Sequence, residues 1–315
     1  MIQDSRVFKW LLEGDPAIRW QVYRDLLVVD QKTIQKEQAL IAREGWGAKL
    51  LSQQESDGRF GGGLYNPKWI STTYTLLLLR WLGLDPDYPD IQKSCQLLLV
   101  KGLYRDGGIN YFRSMKCSET CVTGMILRLF SYFKYSNDRI QLLVEYLLRE
   151  QMPDGGWNCQ RFKGAGHSSF HTTINVLEGL LDFSKFNHYQ SIEIQERIKQ
   201  AVEFLLQHNL YKSHRSGQVF DSRMTRFSFP PYWRYDVLRV LDFFQTAHIP
   251  YDHRMADALT LIKKRQQPDG RWLLQNRQPG RTYFEMEKTG EPSRWNTLRA
   301  IRVLKFYQLD AISFY

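Results

Sequence analysis

Three side chains of the types that bind metals or transfer protons lie at the starts of successive apolar segments: Cys121, His171 and Asp236. A thiolate, an imidazole and a carboxylate are suitable ligands for zinc in an open, catalytic type of site. Without a metal, the Asp236 carboxylate could orient the His171 imidazole and raise its pKa, giving a general acid–base pair. Both hypotheses require the fold to bring the three side chains together.

Each of these residues also has a structural interpretation. A buried cysteine often packs as a small hydrophobic side chain. His171 and Asp236 could instead cap their helices, because polar side chains accept hydrogen bonds from the free N–H groups of a first turn. The sequence leaves both interpretations open.

Basic and aromatic residues at the same junctions suit a ligand with an anionic group and an apolar part. The positive side chains would bind the anion, and the aromatic rings would line a cavity beneath it. The basic candidates are Arg161, Lys163, Arg234 and Arg294, and the aromatic candidates are Tyr74, Tyr235 and Trp295.

A repeated motif positions these residues. Gln-x-x-Asp-Gly-x-aromatic occurs at residues 54–60, 151–157 and 266–272, and a degenerate copy occupies residues 103–109. Each copy follows a segment with the apolar spacing of a helix. The Asp-Gly pair ends that helix, because glycine readily adopts the left-handed conformation of a helix C-cap. A second, more apolar helix follows each junction.

The alternation predicts six hairpins, each with one amphipathic and one apolar helix. A helix that is apolar on all sides must be buried, and an amphipathic helix can cover it. We therefore predict a single all-α domain over residues 1–315, built as two concentric helix rings. The triplets Arg-Trp-Gln at 19–21 and Arg-Trp-Asn at 294–296 open the first and last inner helices, predicted at 22–28 and 297–307. Their similarity favours a closed ring over an open solenoid.

The motif Gln-x-x-Asp-Gly-x-Trp at Gln151 to Trp157 resembles the QW-type repeat of squalene and oxidosqualene cyclases. The Gly-Gly-aromatic junction in the same stretch, and Gly61-Gly62, are similar to those of protein prenyltransferase β subunits. The resemblance covers most of the chain and implies an (α/α)6 toroid of the terpenoid cyclase and prenyltransferase superfamily. In that superfamily the repeat is structural, so it implies the fold and not the reaction.

The catalytic motifs of that superfamily are missing. The Asp-x-Asp-Asp motif of class II cyclases and the Asp-Asp-x-x-Asp motif of class I synthases are absent, and residues 85–90 form a proline-containing turn. Prenyltransferases bind zinc through Asp, Cys and His, but the matching stretch here, residues 166–169, lacks the Asp and the Cys. Arg161 and Lys163 resemble the region where those enzymes bind a prenyl diphosphate.

The loops from outer to inner helices emerge at one end of such a ring, where the inner helices begin. They contain 17 Lys and Arg residues against 8 Asp and Glu residues, a surplus close to the whole net charge of +10. The helix N-termini add partial positive charge at the same end. We therefore expect an anion-binding mouth formed by residues 56–70, 102–117, 152–169, 209–234 and 267–294.

The leading hypothesis is a prenyltransferase-like or squalene-cyclase-like protein that binds an amphiphilic anion, of isoprenoid or diphosphate type, at this mouth. Such a protein could transfer or cyclise its ligand. An alternative is a carbohydrate-active (α/α)6 enzyme for acidic glycans, with Asp236 and Glu119 as its two carboxylates. A third hypothesis is a non-enzymatic scaffold, in which loop 209–234, with its aromatic stretch at residues 227–233, would be an interaction surface or a lid.

The remaining features place the protein among cytoplasmic proteins. No apolar run is long enough to span a bilayer, and the first residues lack the pattern of a signal peptide. The four cysteines form no disulfide framework. The positive charge suits a small anionic ligand and permits peripheral contact with a membrane surface. No dense basic block or recognition motif points to nucleic acid.

Overall fold

The computed structural model describes residues 6–112, 114–187 and 191–309. In these residues the chain forms thirteen α-helices and no β-sheet, as predicted for an all-α protein. The helices are α1 (Arg6–Leu12), α2 (Pro16–Asp25), α3 (Gln31–Leu40), α4 (Gly45–Leu51), α5 (Thr72–Leu82), α6 (Ile91–Gly102), α7 (Thr120–Tyr132), α8 (Ile140–Arg149), α9 (Phe170–Phe186), α10 (Ile192–Gln207), α11 (Val237–Thr246), α12 (Ala256–Lys264) and α13 (Arg294–Phe306).

Six of these helices, α2, α5, α7, α9, α11 and α13, form the inner ring. Most side chains of α5, α7, α9 and α13 are buried, because these helices are apolar around most of their circumference. The outer helices α1, α4, α6, α8, α10 and α12 pack one apolar face against the inner ring. The predicted alternation of six hairpins is confirmed. None of the described helices is long and apolar enough to cross a membrane.

The ring is closed. Helix α13 packs against α2 as well as against α11, so the last hairpin meets the first. Arg294 Nε donates to the Trp10 carbonyl at 3.0 Å, and Arg302 Nη1 donates to the Asp25 carboxylate at 2.6 Å. The alternative topology, an open solenoid, would leave these two ends apart.

Two features near the N-terminus differ from the prediction. Helix α2 begins at Pro16 and not at Val22, because the Asp15 side chain accepts from the Ala17 N–H and proline suits a first helical turn. The outer part of the second hairpin consists of two helices, α3 and α4. The chain turns between them near Gly45, whose φ of 63° cannot continue a right-handed helix. Helix α3 packs on α2 without fully burying any side chain.

The repeated motif joins each outer helix to the inner helix that follows it. At four junctions the backbone N–H of the last motif residue donates to a threonine hydroxyl near the start of the inner helix. The pairs are Phe60–Thr72, Ile109–Thr123, Trp157–Thr173 and Trp272–Thr297, at 2.9 to 3.1 Å. Each tryptophan also donates its indole N–H to the preceding outer helix. The motif therefore holds the two helices of a hairpin together.

Thr173→Val tests this junction. The substitution keeps the shape of the side chain but leaves the buried Trp157 N–H without its acceptor, which lies 3.0 Å away. We expect the free energy of unfolding to fall by about 1 to 3 kcal/mol, the cost of an unsatisfied buried donor. Chemical denaturation measures the change. Thr173→Ser retains the hydroxyl and should cost less, so equal losses in the two variants would contradict the assignment.

Candidate functional site

The end of the ring where the inner helices begin is closed by a segment of the chain. Residues 227–233 cross this end, and most of their aromatic rings are buried. Tyr232 stacks on Trp69, just before α5, with ring centroids 4.2 Å apart, and Phe229 stacks on Trp295, in the first turn of α13, at 4.1 Å. The prediction that the mouth of the ring is open at this end is therefore wrong.

The composition of the closing segment explains this difference. Phe-Ser-Phe-Pro-Pro-Tyr-Trp has more apolar surface than an exposed loop can favourably keep in water. Polar contacts also fix the segment: the Ser228 N–H donates to Asp236, and the Ser228 carbonyl accepts from Arg299 at 3.1 Å. The segment is part of the core, so most of its aromatic rings are not available as the exposed interaction surface considered for loop 209–234.

A cavity of about 340 Å³ opens at the opposite end of the ring, between the C-terminal halves of the inner helices. Its floor is aromatic, with rings from the closing segment and three inner helices, and its walls are charged. The rings belong to Trp20, Trp81, Phe229 and Trp295. The charged residues are Arg24, Asp25, Arg80, Arg128, Glu178, Asp182, Lys185, Arg239, Asp242, Arg299 and Arg302. We call this space the central cavity.

A first chain of ion pairs links α5, α7, α9 and α11 along the cavity wall. Asp182 is shared by Arg80, whose Nε donates at 2.8 Å, and by Arg128, whose Nε lies at 3.5 Å. Glu178, one turn earlier on α9, is shared by Arg128 at 2.5 Å and Arg239 at 2.6 Å. The first chain therefore contains three arginines and two carboxylates.

A second chain of ion pairs links α11, α13 and α2. Asp242 is shared by Arg299, whose Nε lies at 3.4 Å, and by Arg302 at 2.7 Å. Asp25 is shared by Arg302 at 2.6 Å and by Arg24 at 2.5 Å. The second chain thus repeats the composition of the first, with three arginines around two carboxylates.

Together the two chains connect the inner helices around the ring. The first runs from α5 to α11, and the second continues from α11 through α13 to α2. The remaining gap, between α2 and α5, is bridged by Gln21, whose Nε2 donates to the Trp81 carbonyl at 2.9 Å. The charged network therefore holds the inner ring closed at the level of the central cavity.

Burial raises the pKa values of Glu178 and Asp25, and ion pairing with arginines lowers them. Desolvation favours the neutral form of Glu178, but Arg128 and Arg239 outweigh it and lower the pKa of Glu178 to about 2. Arg24 and Arg302 likewise outweigh desolvation and lower the pKa of Asp25 to about 2. For Arg128, burial is the largest cause and lowers the pKa of the guanidinium to about 10. These groups are therefore charged at neutral pH.

Positive charge remains in excess in the central cavity, where seven cationic side chains face four carboxylates. Arg24, Arg80 and Lys185 lie in the last turns of their helices, where the helix dipole stabilises a positive charge. Arg239 lies in the first turn of α11 and Arg299 near the middle of α13, where the dipole does not favour a cation. Helix dipoles thus account for only part of the excess.

Several hydrogen-bond donors in the cavity lining lack an acceptor. The Arg128 Nε and the indole N–H groups of Trp20 and Trp295 are buried, and none has a hydrogen-bond partner in the described part of the chain. A buried donor without a partner costs about 1 to 3 kcal/mol. These donors have almost no exposed surface, so a ligand in the cavity would not reach them without a rearrangement of the lining. The cavity combines an excess of positive charge with an aromatic floor.

The structure does not bring Cys121, His171 and Asp236 together. Asp236 caps α11, and the Cys121 N–H contacts the sulfur of Cys159 at 3.0 Å. Among residues 6–112, 114–187 and 191–309, no three His, Cys, Asp or Glu side chains are placed to hold a metal ion. The prediction that these residues converge as zinc ligands is therefore wrong, because each of the three residues takes part in backbone hydrogen bonding at a helix start.

The predicted acid–base pair is not formed either. The two oxygens of Asp236 accept from the backbone N–H groups of Arg239, at 2.8 Å, and Ser228, at 3.2 Å. His171 Nδ1 accepts from the Tyr235 N–H at 2.9 Å. Burial, followed by the charge of nearby arginines, lowers the pKa of His171 to about 4, opposite to the predicted rise. His171 is therefore neutral at physiological pH.

The four predicted anion-binding residues lie away from the central cavity. Arg161 and Lys163 are exposed in a short 3-10 helix, where Arg161 lies 3.3 Å from Glu150. Arg234 lies over the Trp233 ring, and Arg294 lies over Trp10 and donates to its carbonyl. Tyr74 and Tyr235 are buried, with Tyr74 packed edge-on against Trp69. Among the predicted ligand-binding residues, Trp295 alone lines the cavity.

The residues that line the central cavity left a signal in the sequence that the prediction missed. Arg80, Arg128 and Arg239 each interrupt an otherwise apolar inner helix, and Glu178 and Asp182 are spaced four residues apart on one helix face. A charge in a buried helix must be paired. The prediction instead placed the site at the first turns of the inner helices, which lie at the closed end of the ring.

Comparison with known proteins finds similarity only at the level of structure. No family model matches the chain, and no curated protein matches it. The type II terpene cyclase MstE from Scytonema, in a variant bound to its substrate geranylgeranyl dihydroxybenzoate, has a TM-score of 0.48 and 16% identity over 93% of this chain and 86% of that chain. A protein from Actinoplanes has a TM-score of 0.48 and 14% identity over 94% of this chain and 90% of that chain. The substrate-free MstE has a TM-score of 0.46 and 17% identity over 95% of this chain and 90% of that chain.

Proposed function

We propose that the protein binds a small amphiphilic anion in the central cavity, with the anionic group on the first chain and the apolar part on the aromatic floor. The observation that supports this most is the excess of seven cationic side chains over four carboxylates in the cavity lining. An isoprenoid diphosphate is the ligand class that fits both surfaces. The ligand chemistry agrees with the expectation from the sequence, but the proposed site lies at the other end of the ring and uses other residues.

Arg80 and Arg128 are the residues best suited to contact the anion. Arg80 donates to Asp182 through Nε and one Nη, and its other Nη has no hydrogen-bond partner in the described residues. Arg128 donates to Glu178 through one Nη, and its buried Nε lies 3.5 Å from Asp182, which leaves its other Nη without a hydrogen-bond partner in the described residues. Arg239, by contrast, donates to Glu178, Asn175 and two backbone carbonyls. Every nitrogen of its guanidinium is therefore hydrogen-bonded within the protein. Arg239 would therefore support the site without contacting the ligand.

Binding is favoured over acid-initiated cyclisation. Such a reaction needs a protonated carboxyl group facing the cavity, and the pKa values of Glu178 and Asp25 are both lowered to about 2. The carboxylates in the cavity also each pair with two arginines. The volume of about 340 Å³ lies at the lower end of the range for ligand pockets, which favours a short apolar part.

Isothermal titration calorimetry with pyrophosphate and with geranyl diphosphate tests the proposal. We expect both to bind, and geranyl diphosphate to bind more tightly because its apolar part covers the aromatic floor. Arg80→Gln removes one charged donor and should weaken binding of both probes at least tenfold, as expected for a charge-assisted hydrogen bond. The thermal midpoint of each variant checks that it is folded.

Arg254→Gln is the matched control. Arg254 also pairs with two carboxylates, Glu203 and Asp252, but it lies on the outer surface and not in the cavity lining. Its loss should leave both affinities unchanged. No measurable binding of either probe at millimolar concentration, or equal affinity of Arg80→Gln and the unchanged protein, would overturn the proposed function.

A further inference from the structure

A pair of cysteines lies at the closed end of the ring, outside the central cavity. Cys121 is the second residue of α7, and Cys159 follows the Gly-Gly-Trp junction that precedes α9. The backbone N–H of Cys121 donates to the Cys159 sulfur at 3.0 Å. Both residues are partly exposed and both thiols are free. The proposed function uses neither of them.

The sulfur of Cys159 occupies the place of a helix cap. The residue at the N-cap of α7, Glu119, makes no capping hydrogen bond with its side chain, and the Cys159 sulfur accepts from the first turn instead. The Thr172 hydroxyl, in the first turn of α9, accepts from the Cys159 backbone N–H at 3.2 Å. These two hydrogen bonds hold Cys159 between the starts of α7 and α9.

These contacts distinguish the two sulfurs. Burial raises the pKa of Cys159, but the hydrogen bonds from Cys121, Thr172 and the backbone outweigh burial, so the net shift is downward. The hydrogen bond to Cys159 and then burial raise the pKa of Cys121 well above its usual value. Of the two sulfurs, Cys159 is therefore the one at which these contacts favour the thiolate.

We propose that Cys159 is a nucleophilic thiolate that reacts with hydroperoxides and forms a disulfide with Cys121. The Cys159 sulfur attacks one peroxide oxygen, the O–O bond breaks, and an alcohol or water leaves after taking up a proton. Cys159 becomes a sulfenic acid. The Cys121 sulfur then attacks the Cys159 sulfur, the S–O bond breaks, and water leaves with the Cys121 proton. The peroxide gains the two electrons that the two thiols lose.

The first test compares cysteines within one sample of the unchanged protein. A limiting amount of iodoacetamide is added at pH 7, and peptide mass spectrometry follows each cysteine. We expect Cys159 to be alkylated at least tenfold faster than Cys117, which is also partly exposed but whose pKa is raised by burial and then by Asp106. Equal rates at Cys159 and Cys117 would overturn the proposal. This comparison does not depend on the folding of any variant.

The second test is oxidation with one equivalent of hydrogen peroxide. The unchanged protein should lose about two mass units and yield a Cys121–Cys159 cross-linked peptide. Cys121→Ser should instead gain one oxygen at Cys159, trapped by dimedone, and Cys117→Ser should form the disulfide normally. Thr172→Val should slow the reaction, while Thr172→Ser keeps the hydroxyl and should restore it. Failure to form the cross-link in both the unchanged protein and Cys117→Ser would contradict the proposal.

Discussion

Glu178→Ala is expected to lower the free energy of unfolding by about 3 to 5 kcal/mol, the usual cost of removing one partner from a buried ion pair. Glu178 is shared by Arg128 and Arg239, and the side chains of these three residues are only 3 to 8% exposed. Without the carboxylate, two guanidinium groups would face each other in the core with no charge between them. Equilibrium denaturation at neutral pH and moderate ionic strength measures the loss.

Glu145→Ala provides the control for this prediction. Glu145 lies on the exposed face of the outer helix α8, so its loss should change stability by no more than about 0.5 kcal/mol. Glu178→Gln keeps the volume and some hydrogen bonds, so its effect should lie between those of the other two variants. A loss below about 1 kcal/mol for Glu178→Ala would show that the first chain does not stabilise the ring.

Acid is expected to destabilise the protein steeply, because two buried carboxylates have pKa values lowered to about 2 in the folded state. The usual values are 4.5 for Glu178 and 3.8 for Asp25. A lowered pKa contributes stability that is fully present above the unfolded-state value and is lost as the pH falls through the folded-state value. The two shifts correspond to roughly 3 and 2 kcal/mol. Most of this loss falls between about pH 4.5 and pH 2.

Urea denaturation at a series of pH values from 6 to 2.5 measures this dependence. The unchanged protein should lose several kcal/mol over the range, and Glu178→Gln should show a shallower slope because one of the two titrating groups is gone. Asp257→Asn, which changes an exposed outer carboxylate, should leave the slope nearly unchanged. Parallel slopes for Glu178→Gln and the unchanged protein would contradict the assignment of Glu178.

The fold was predictable because its determinants are local and repeated. Each Asp-Gly junction ends one helix within a few residues, and the apolar spacing of the next helix shows that it is buried. Deviations arose where the repeat is absent. The N-terminal hairpin has no copy of the motif, so the start of α2 at Pro16 depends on a single cap by Asp15. Helix α3, the additional outer helix of the second hairpin, also has no counterpart in the repeat.

The candidate site was not predictable to the same degree, because its partners lie far apart in the chain. Glu178 pairs with Arg128 and Arg239, which are 50 and 61 residues away. The sequence shows these charges as interruptions of apolar helices, but not which charges meet. The excess of cationic side chains over carboxylates can be recognised only when the inner helices are arranged in a ring. The anionic character of the proposed ligand follows from that excess.

The sequence by itself determined the all-α class, the six hairpins and the closure of the ring, since each depends on periodicity and on short junctions. Tertiary structure alone decided which end of the ring is open. Residues 227–233 bury their aromatic rings against Trp69 and Trp295 and so close the end that charge counting had favoured. A count of loop charges cannot detect this, because burial of the segment depends on aromatic surfaces from helices distant in the sequence.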